Sequence, residues 1–241
     1  YTTLKSLATP EVNVCTIEDP IEMVEPAFNQ MQVNNAIDIG FAEGIRSLMR
    51  QDPDIIMVGE IRDVETAEMA IQAALTGHLV LSSLHTNDAP SAITRLLELG
   101  VPAYLLHATL LGVMGQRLIR TLCPHCKQAS ALSAEDERQW NELVIPWKSG
   151  RPSQLYRPVG CLECRMTGYL GRIGIYELLL FSPQIKQLIT DGAELAKIRE
   201  QAAREGMKPL RISGALKIAA GLTTIEEVGN IAPPAQTACT G

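Results

Sequence analysis

The sequence predicts an α/β fold around a parallel β-sheet, followed by a small metal-binding unit and a carboxyl-terminal helical region. In the first half of the chain, strand-like apolar runs alternate with helical patterns, and three of these runs end in polar residues. Two C-x-x-C pairs follow. The chain has 241 residues, 46% apolar and 20% charged, which is enough for one α/β core and a smaller unit. We expect domains at residues 1–120, 121–170 and 171–241.

Charge and hydropathy argue against two classes of protein. The net charge of −6 and the isoelectric point near 5.3 are not typical of a nucleic-acid-binding surface, which clusters lysine and arginine. The most apolar stretch, residues 103–119, contains His107, Gln116 and Arg117 and is too short for a bilayer span. The pattern of residues 103–119 predicts a buried helix. No amino-terminal signal peptide is visible. We therefore expect no nucleic-acid partner.

Three strands are expected in the first half of the chain. Residues 12–17 are rich in strand-forming side chains, and the acidic turn that follows contains Pro20, which cannot donate a ladder hydrogen bond. Residues 54–59 form an almost unbroken apolar run, which is typical of a strand buried on both faces. Residues 79–84 predict the third strand.

Two helices separate these strands. Residues 41–51 have the helical spacing of apolar side chains, with Asp38 upstream as a candidate cap. The next helix carries an apolar stripe made mainly of alanine, with Asp63 placed to cap its start and Gly77 placed to end it.

The polar clusters at the strand ends cover residues 18–22, 60–63 and 85–88. Because ligands bind at the carboxyl ends of the strands in open α/β sheets, we expect the three clusters to converge on one crevice. Hydrolysis of a phosphoanhydride needs a base or orienting carboxylate, a metal-holding carboxylate, and cations or polar hydrogens for the developing charge. The sequence offers these groups in five residues: Glu22, Glu60, Arg62, His78 and His85.

Two of these residues have simpler interpretations when each is considered alone. Glu22, beside Pro20, is also consistent with a solvated acid in a turn, because acidic side chains usually lie outside. His85 is also consistent with a hydrogen-bonded core histidine. Glu60 directly follows a strand, so it is expected at a strand end.

A second strong signal is a pair of cysteine knuckles. The expected ligands are Cys123, Cys126, Cys161 and Cys164. Each C-x-x-C turn chelates as a pair, and four thiolates close a tetrahedral site, so we expect structural Zn²⁺ in a reducing compartment. Metal-free thiols, or His125 in place of one cysteine, are the alternatives. Cys15 and Cys239 lack a partner at ligand spacing and are expected to be bystanders.

The rest of the chain is predicted to be mainly helical. Between the knuckles, residues 133–143 predict a helix with Ser133 as its cap and Asp136 in its first turn. A strand is predicted at residues 172–181. Helices are expected at residues 183–190, 193–204, 212–220 and 224–228.

Three segments resemble those of a known family. They are T-I-E-D-P-I-E at residues 16–22, R-Q-D-P-D-I-I-M-V-G-E-I-R-D at residues 50–63, and G-H-L-V-L-S-S-L-H-T-N-D-A at residues 77–89. They resemble the acidic box, Walker B segment and histidine box of the secretion ATPases, more narrowly of the type II secretion and type IV pilus assembly branch. The similarity continues in order to residues 221–228. It implies that the first domain is a RecA-like ATPase core.

The resemblance implies a role for each candidate residue. Glu22 matches the position of the catalytic base, and Glu60 matches the Walker B position that helps organise magnesium and water. The residues assigned to nucleotide binding are Glu18, Asp19, Arg62, His78 and His85. Among these, the two histidines are implied to sense the terminal phosphate, and the arginine to compensate charge or to act between subunits.

The resemblance also implies cofactors and partners. ATP and Mg²⁺ are implied, together with a homo-hexamer that moves an inner-membrane platform protein and works with cytoplasmic components of the secretion or pilus machine. The implied location is cytoplasmic, peripheral at the inner membrane. Assembly ATPases of this family carry a tetracysteine insertion, which supports Zn²⁺ at the knuckles.

The sequence departs from the family in one essential feature. None of the seven lysines follows a glycine, so the chain contains no G-x-x-x-x-G-K-[ST] phosphate loop. We therefore expect the chain to be the carboxyl-terminal part of a longer ATPase, inactive by itself. The alternative is a non-catalytic, zinc-containing interaction module. Residues 229–234 also lack the expected helical ending.

Overall fold

The computed structural model describes residues 1–147 and 150–232. Its helices and strands, in chain order, are α1 (Thr2–Leu7), β1 (Val14–Glu18), β2 (Asn29–Gln32), α2 (Phe41–Leu48), β3 (Ile55–Val58), α3 (Val64–Leu75), β4 (Leu79–Ser82), α4 (Ser91–Glu98), α5 (Ala103–Thr109), β5 (Gly112–Leu122), β6 (Gln128–Ser130), α6 (Ala134–Val144), β7 (Leu155–Arg157), β8 (Tyr169–Leu180), α7 (Pro183–Leu188), α8 (Leu195–Arg204), α9 (Leu210–Ala219) and α10 (Ile225–Ile231). The non-helical ending predicted at residues 229–234 is wrong for its first residues, because α10 continues to Ile231. Its last two residues and Cys239 lie outside the described residues.

The chain divides into two compact units. The first unit contains Tyr1–Leu111 and Leu180–Gln201, and the second contains Gly112–Leu179 and the chain from Ala202 onward. The sequence-predicted boundaries at 120/121 and 170/171 fall inside β5 and β8. The division into three domains stays a prediction.

The first unit contains a four-stranded sheet in the order β2-β1-β3-β4. All three pairings are parallel, so the predicted α/β class with a parallel sheet is confirmed. The three predicted strands are the adjacent strands β1, β3 and β4. Sequence reasoning missed β2, whose Asn-Gln-Met-Gln sequence has a single apolar residue and not the apolar run by which the other strands were found.

Apolar side chains cover both faces of the sheet. On one face, Ile17 of β1 and Ile56 of β3 pack with Ile45 of α2 and with α3. On the other face, Ile55 packs with Leu4 of α1. Burial on both faces explains why the β3 segment is an unbroken apolar run.

The predicted ends of α3 are confirmed, but the predicted cap of α2 is wrong. The Asp63 carboxylate accepts a hydrogen bond from the Thr66 N–H at 2.8 Å, and Gly77 follows α3 with a φ of +104°, which glycine adopts without steric cost. Asp38 instead has a φ of 56° and ends a short 3₁₀ helix. Helix α2 begins after Gly40, which has no side chain to act as a cap.

The single buried helix predicted at residues 103–119 is also wrong. Helix α5 ends at Thr109 and strand β5 begins at Gly112. Along β5 alternate side chains are exposed, and these include Met114 and Leu118. Because apolar side chains occupy both faces of this strand, the period of two is hidden in the sequence. No helix in the described part of the chain has the length and hydropathy required to cross a membrane.

Within its described residues, the second unit contains two small sheets and a helical core. Strand β5 pairs with β8, and β6 pairs antiparallel with β7. The predicted capping of α6 is confirmed, since Ser133 and Asp136 form a reciprocal capping box. Trp140 of this helix is buried in an apolar cluster to which α9 and α10 also contribute.

An ion pair joins α10 to β5 inside this unit. Arg120 Nη2 lies 2.6 Å from Glu227 Oε2, and the Arg120 backbone N–H donates to Glu227 Oε1 at 2.9 Å. The guanidinium also stacks 4.3 Å from the Tyr169 ring centroid. Burial alone would raise the pKa of Glu227, but the hydrogen bonds and charge of Arg120 outweigh burial and lower that pKa.

We predict that Glu227→Gln lowers the free energy of unfolding by about 2 kcal/mol near neutral pH, because the amide loses charge-assisted hydrogen bonds. Since the folded-state pKa is depressed, the contribution of Glu227 is present above its unfolded pKa and is lost as the pH falls through its folded pKa. Urea unfolding as a function of pH measures both effects. Glu226→Gln is the matched control, since that side chain is exposed; equal losses in both variants would contradict the prediction.

Candidate functional site

The carboxyl ends of β1, β3 and β4 lie side by side and bring the three predicted polar clusters together. Ile17 is in register with Val58, and Val58 with Ser82. Backbone hydrogen bonds continue beyond these pairs, from Gly59 N to Ile17 O at 2.8 Å and from Ile61 N to Ser83 O at 3.0 Å. The segments that follow the three strands are therefore held next to one another.

Glu60 is the centre of this edge. Its side chain is only 13% exposed, with Arg62 Nη2 at 2.5 Å from Oε1 and His85 Nε2 at 3.1 Å from Oε2. The hydrogen bond from Arg62 lowers the pKa of Glu60, and contacts with Arg62 and His85 more than offset the opposing effect of burial. Hydrogen bonding and attraction to Glu60, with a smaller contribution from Asp19, raise the pKa of Arg62. The site thus holds an ionised carboxylate beside two nitrogen side chains.

Glu18 lies one strand away and is buried in a hydrogen-bond network. Its carboxylate accepts from the Tyr1 hydroxyl, from Thr16 Oγ1 at 2.6 Å and from Gln30 Nε2 at 3.1 Å. Burial, and then the hydrogen bond to Glu18, raise the pKa of Tyr1. Because both oxygens are engaged inside the protein, Glu18 is placed to order the edge of the sheet.

Asp19 and Glu22 are exposed and follow β1 in the acidic loop, residues 19–27. Two glutamines of β2 hold this loop. Gln30 Nε2 donates to Met23 O at 3.0 Å and its Oε1 accepts from Glu25 N at 2.7 Å, while Gln32 accepts from Ile21 N at 3.2 Å. Sequence reasoning missed both glutamines, although their spacing of two places them on one face of β2.

His78 is the candidate that the structure does not bring to this edge. It directly precedes β4, and its Nδ1 lies 2.8 Å from Ala73 O and 3.0 Å from Thr76 Oγ1. His85 follows the same strand at its other end. A strand of four residues is roughly 13 Å long, so the two histidines lie at opposite ends of β4.

The four knuckle cysteines meet in the second unit. All four Sγ atoms lie within 4.8 Å of one another. Three sulfur–sulfur distances are 3.8 Å: Cys123–Cys161, Cys126–Cys164 and Cys161–Cys164. A tetrahedron with metal–sulfur bonds of about 2.3 Å has edges of about 3.8 Å, so the spacing fits four-coordinate zinc. His125 is not part of the cluster.

Backbone N–H groups favour the thiolate of Cys164, whereas burial and the neighbouring thiols raise the pKa of Cys126 to about 11. Cys164 Sγ accepts from Cys161 N and Gly168 N, both at 3.2 Å, and Cys126 Sγ accepts from Gly160 N at 3.3 Å. Burial would raise the pKa of Cys164, but these N–H groups and the neighbouring thiols lower it to about 6. Gly168 has a φ of +76°, and a side chain there would meet Pro158 at 2.4 Å. The turn therefore requires glycine.

The chain is similar to proteins named as secretion and pilus assembly ATPases. TfpB, a type IV pilus assembly ATPase of Acinetobacter baylyi, is 61% identical over 233 residues, which cover 97% of this chain and 39% of the relative. Type II secretion system ATPase E of Vibrio cholerae is 45% identical over 229 residues, covering 95% and 44%. This chain therefore spans less than half the length of these relatives.

A solved structure has the same fold. The pilus retraction motor PilT with bound ADP matches with a TM-score of 0.66 and 27% identity, covering 96% of this chain and 56% of that one. The family model described as "Type II/IV secretion system protein" matches residues 1–230. The chain belongs to the type II/IV secretion system protein family.

Proposed function

We propose that this chain is the carboxyl-terminal part of a hexameric ATPase that couples ATP hydrolysis to type II protein secretion or type IV pilus assembly. The observation that carries the proposal is the contact of Glu60 with Arg62 and His85 at the carboxyl edge of a parallel sheet, in a chain of this family. The ATPase relatives support the activity, and the remainder of a RecA-like core, with the phosphate loop, is supplied from outside this sequence. The protein works in the cytoplasm at the inner-membrane platform.

The residues of the edge divide the work of phosphoryl transfer. Glu22, exposed on the acidic loop, acts as the base or orienting group for water. Glu60 helps to organise Mg²⁺, which would neutralise charge on the phosphates. His85 senses the terminal phosphate, and Arg62 compensates the developing charge there or in a neighbouring subunit. Asp19 contributes negative charge near Arg62. The position of His78 does not support a phosphate role in the same site, so we propose no role for it in hydrolysis.

Zinc is proposed as the metal of the knuckle. The four sulfur atoms fit it, and a closed set of four thiolates leaves no position for catalysis. The ion would therefore hold together the two turns that contain Cys123–Cys126 and Cys161–Cys164.

A second candidate function is a non-catalytic, zinc-containing interaction module. The specific observation in its favour is the absence of a phosphate-loop lysine, because that side chain and its loop form the main cradle for the phosphates. The two candidates differ in whether the edge residues matter once a phosphate loop is present.

We expect the isolated 241-residue chain to hydrolyse ATP at a rate near background, because it lacks that electrostatic cradle. Phosphate release with Mg²⁺ and ATP is the measurement. A rate equal to that of the full-length protein would show that the chain needs no phosphate loop from outside.

In the full-length protein, Glu22→Gln and Glu60→Gln should each lower kcat about 100-fold or more, while nucleotide binding is largely kept. Steady-state kinetics and binding of a fluorescent nucleotide measure the two quantities. Glu65→Gln, which changes an exposed acid of α3, is the control and should leave kcat unchanged. If kcat also stays unchanged in both test variants, the two carboxylates have no role in hydrolysis, and the interaction-module function is favoured for this chain.

We expect one zinc ion per chain, with affinity that falls as the pH is lowered, because protons compete for the thiolates. Cys126→Ser should release zinc and raise protease sensitivity between residues 123 and 164, while the parallel sheet of the first unit keeps its order. Elemental analysis and limited proteolysis are the measurements, and His125→Ala should retain the metal. Folded protein that contains no zinc, and in which the four knuckle thiols can all be titrated, would rule out the metal site.

A further inference from the structure

The loop that carries His85 is held near both ends: the Ser83 hydroxyl donates to Gly59 O at 2.7 Å, and Ala89 is buried. We call residues 83–90, between β4 and α4, the histidine loop. The His85 side chain is 87% exposed, and its polar contact within the described chain is the one with Glu60. Exposed side chains keep a fixed position only when the backbone beneath them is ordered. The order of this loop must come from its other residues.

Asp88 provides a fixed point in the histidine loop. Its Oδ1 accepts a hydrogen bond from Ser91 N at 2.9 Å and another from the Ser91 hydroxyl, at the start of α4. Its Oδ2 accepts from Arg199 Nε at 3.1 Å and from Arg199 Nη2 at 2.5 Å. Both carboxylate oxygens of Asp88 are therefore engaged, one by the following helix and one by a distant residue.

Arg199 reaches the loop from α8, 111 residues further along the chain but in the same compact unit. The Asp88 side chain is 24% exposed and the Arg199 side chain 49%, and the contact has two N–H donors. These features distinguish it from an exposed ion pair on the same helix, Lys197 with Glu194, whose side chains are 60% and 63% exposed. Exposed ion pairs of that kind contribute little to the stability of the folded protein. Burial would raise the pKa of Asp88, but hydrogen bonds from Ser91 and Arg199 lower it.

We propose that Arg199 is a positioning residue for the active site: by holding Asp88, it orders the histidine loop and so keeps His85 beside Glu60. The inference rests on the proposed function, since it gives meaning to the position of His85. Arg199 acts mainly through Asp88, with a longer contact from its Nη2 to the Ser91 hydroxyl at 3.5 Å. Residues of α8 therefore affect hydrolysis without touching the nucleotide.

The first test separates positioning from binding in the full-length protein. Arg199→Ala should lower kcat about tenfold through misplacement of His85, with KM for ATP changed less than about twofold, because no proposed nucleotide-binding group is removed. Arg199→Lys should recover part of the loss, since an ammonium keeps the charge but not the fork of two donors. Lys197→Ala, which changes a residue of the same helix, should leave kcat and KM unchanged.

A double-mutant cycle tests the pair. Asp88→Asn keeps an oxygen for the Ser91 N–H but removes the charge that faces Arg199. It should lower kcat by itself and add little in the Arg199→Ala background, because both changes break the same contact. Additive losses in the double variant would overturn the inference.

Hydrogen exchange without nucleotide gives a readout that does not depend on activity. Arg199→Ala should speed exchange of the backbone amides in residues 83–91, Arg199→Lys should do so less, and Lys197→Ala not at all. If Glu60→Gln abolishes hydrolysis but Arg199→Ala changes neither kcat nor exchange, the inference fails and the proposed function stands. If Glu60→Gln has no effect, the proposed function fails, and the exchange rates alone decide whether Arg199 orders the loop. If Arg199→Ala does not fold, the lysine variant is judged by the same measurements.

Discussion

The parallel pairing of β3 with β1 on one side and β4 on the other is the constraint on which the site depends. It sets Val58 opposite Ile17 and Ser82. A slip of one residue in either pairing would turn every side chain of the slipped strand to the other face, so the buried cores on both faces fix the register. Because Gly59 and Ile61 also form backbone hydrogen bonds to the neighbouring strands, the register extends to the residues that flank Glu60. The position of the carboxylate follows from the packing of the sheet.

This placement has an electrostatic consequence. A carboxylate that is mostly buried at a strand end would be costly if it had no partner. Arg62 and His85 supply nitrogen partners on either side of Glu60, and the pKa of Glu60 is lowered as a result. The same contacts mean that a cation approaching Glu60 competes with Arg62 for Oε1. In the proposed function, the state of this ion pair therefore governs how freely Glu60 would help to hold Mg²⁺.

Features encoded within a few residues could be predicted from the sequence. Asp63 and Ser133 were identified as caps because the bonds they form are local. The strand at Ile55–Val58 was found because burial on both faces leaves a plain apolar run. Asp38 was assigned wrongly because a polar residue upstream of a helix can also end a preceding 3₁₀ turn.

Features that depend on tertiary side-chain contacts, whether a few residues or many residues apart, could not be predicted in this way. Nothing near Gln30 in the sequence indicates that its amide holds residues 23 and 25, and nothing near Arg199 indicates a partner 111 residues away. The resemblance to a family supplied candidate residues but not their neighbours in space. It also placed His78 and His85 in one group, although β4 separates them.

The two exposed candidates, Glu22 and His85, show why such distant contacts matter. An exposed side chain gains little order from burial, so its precision must come from the hydrogen bonds of its loop. Gln30 provides these bonds for the acidic loop, and Arg199 provides them for the histidine loop. Both act through polar contacts of the loop and not through the apolar core. We therefore expect the proposed chemistry of this edge to be sensitive to residues that never touch a substrate, and we expect that sensitivity to be separate from the stability of the sheet.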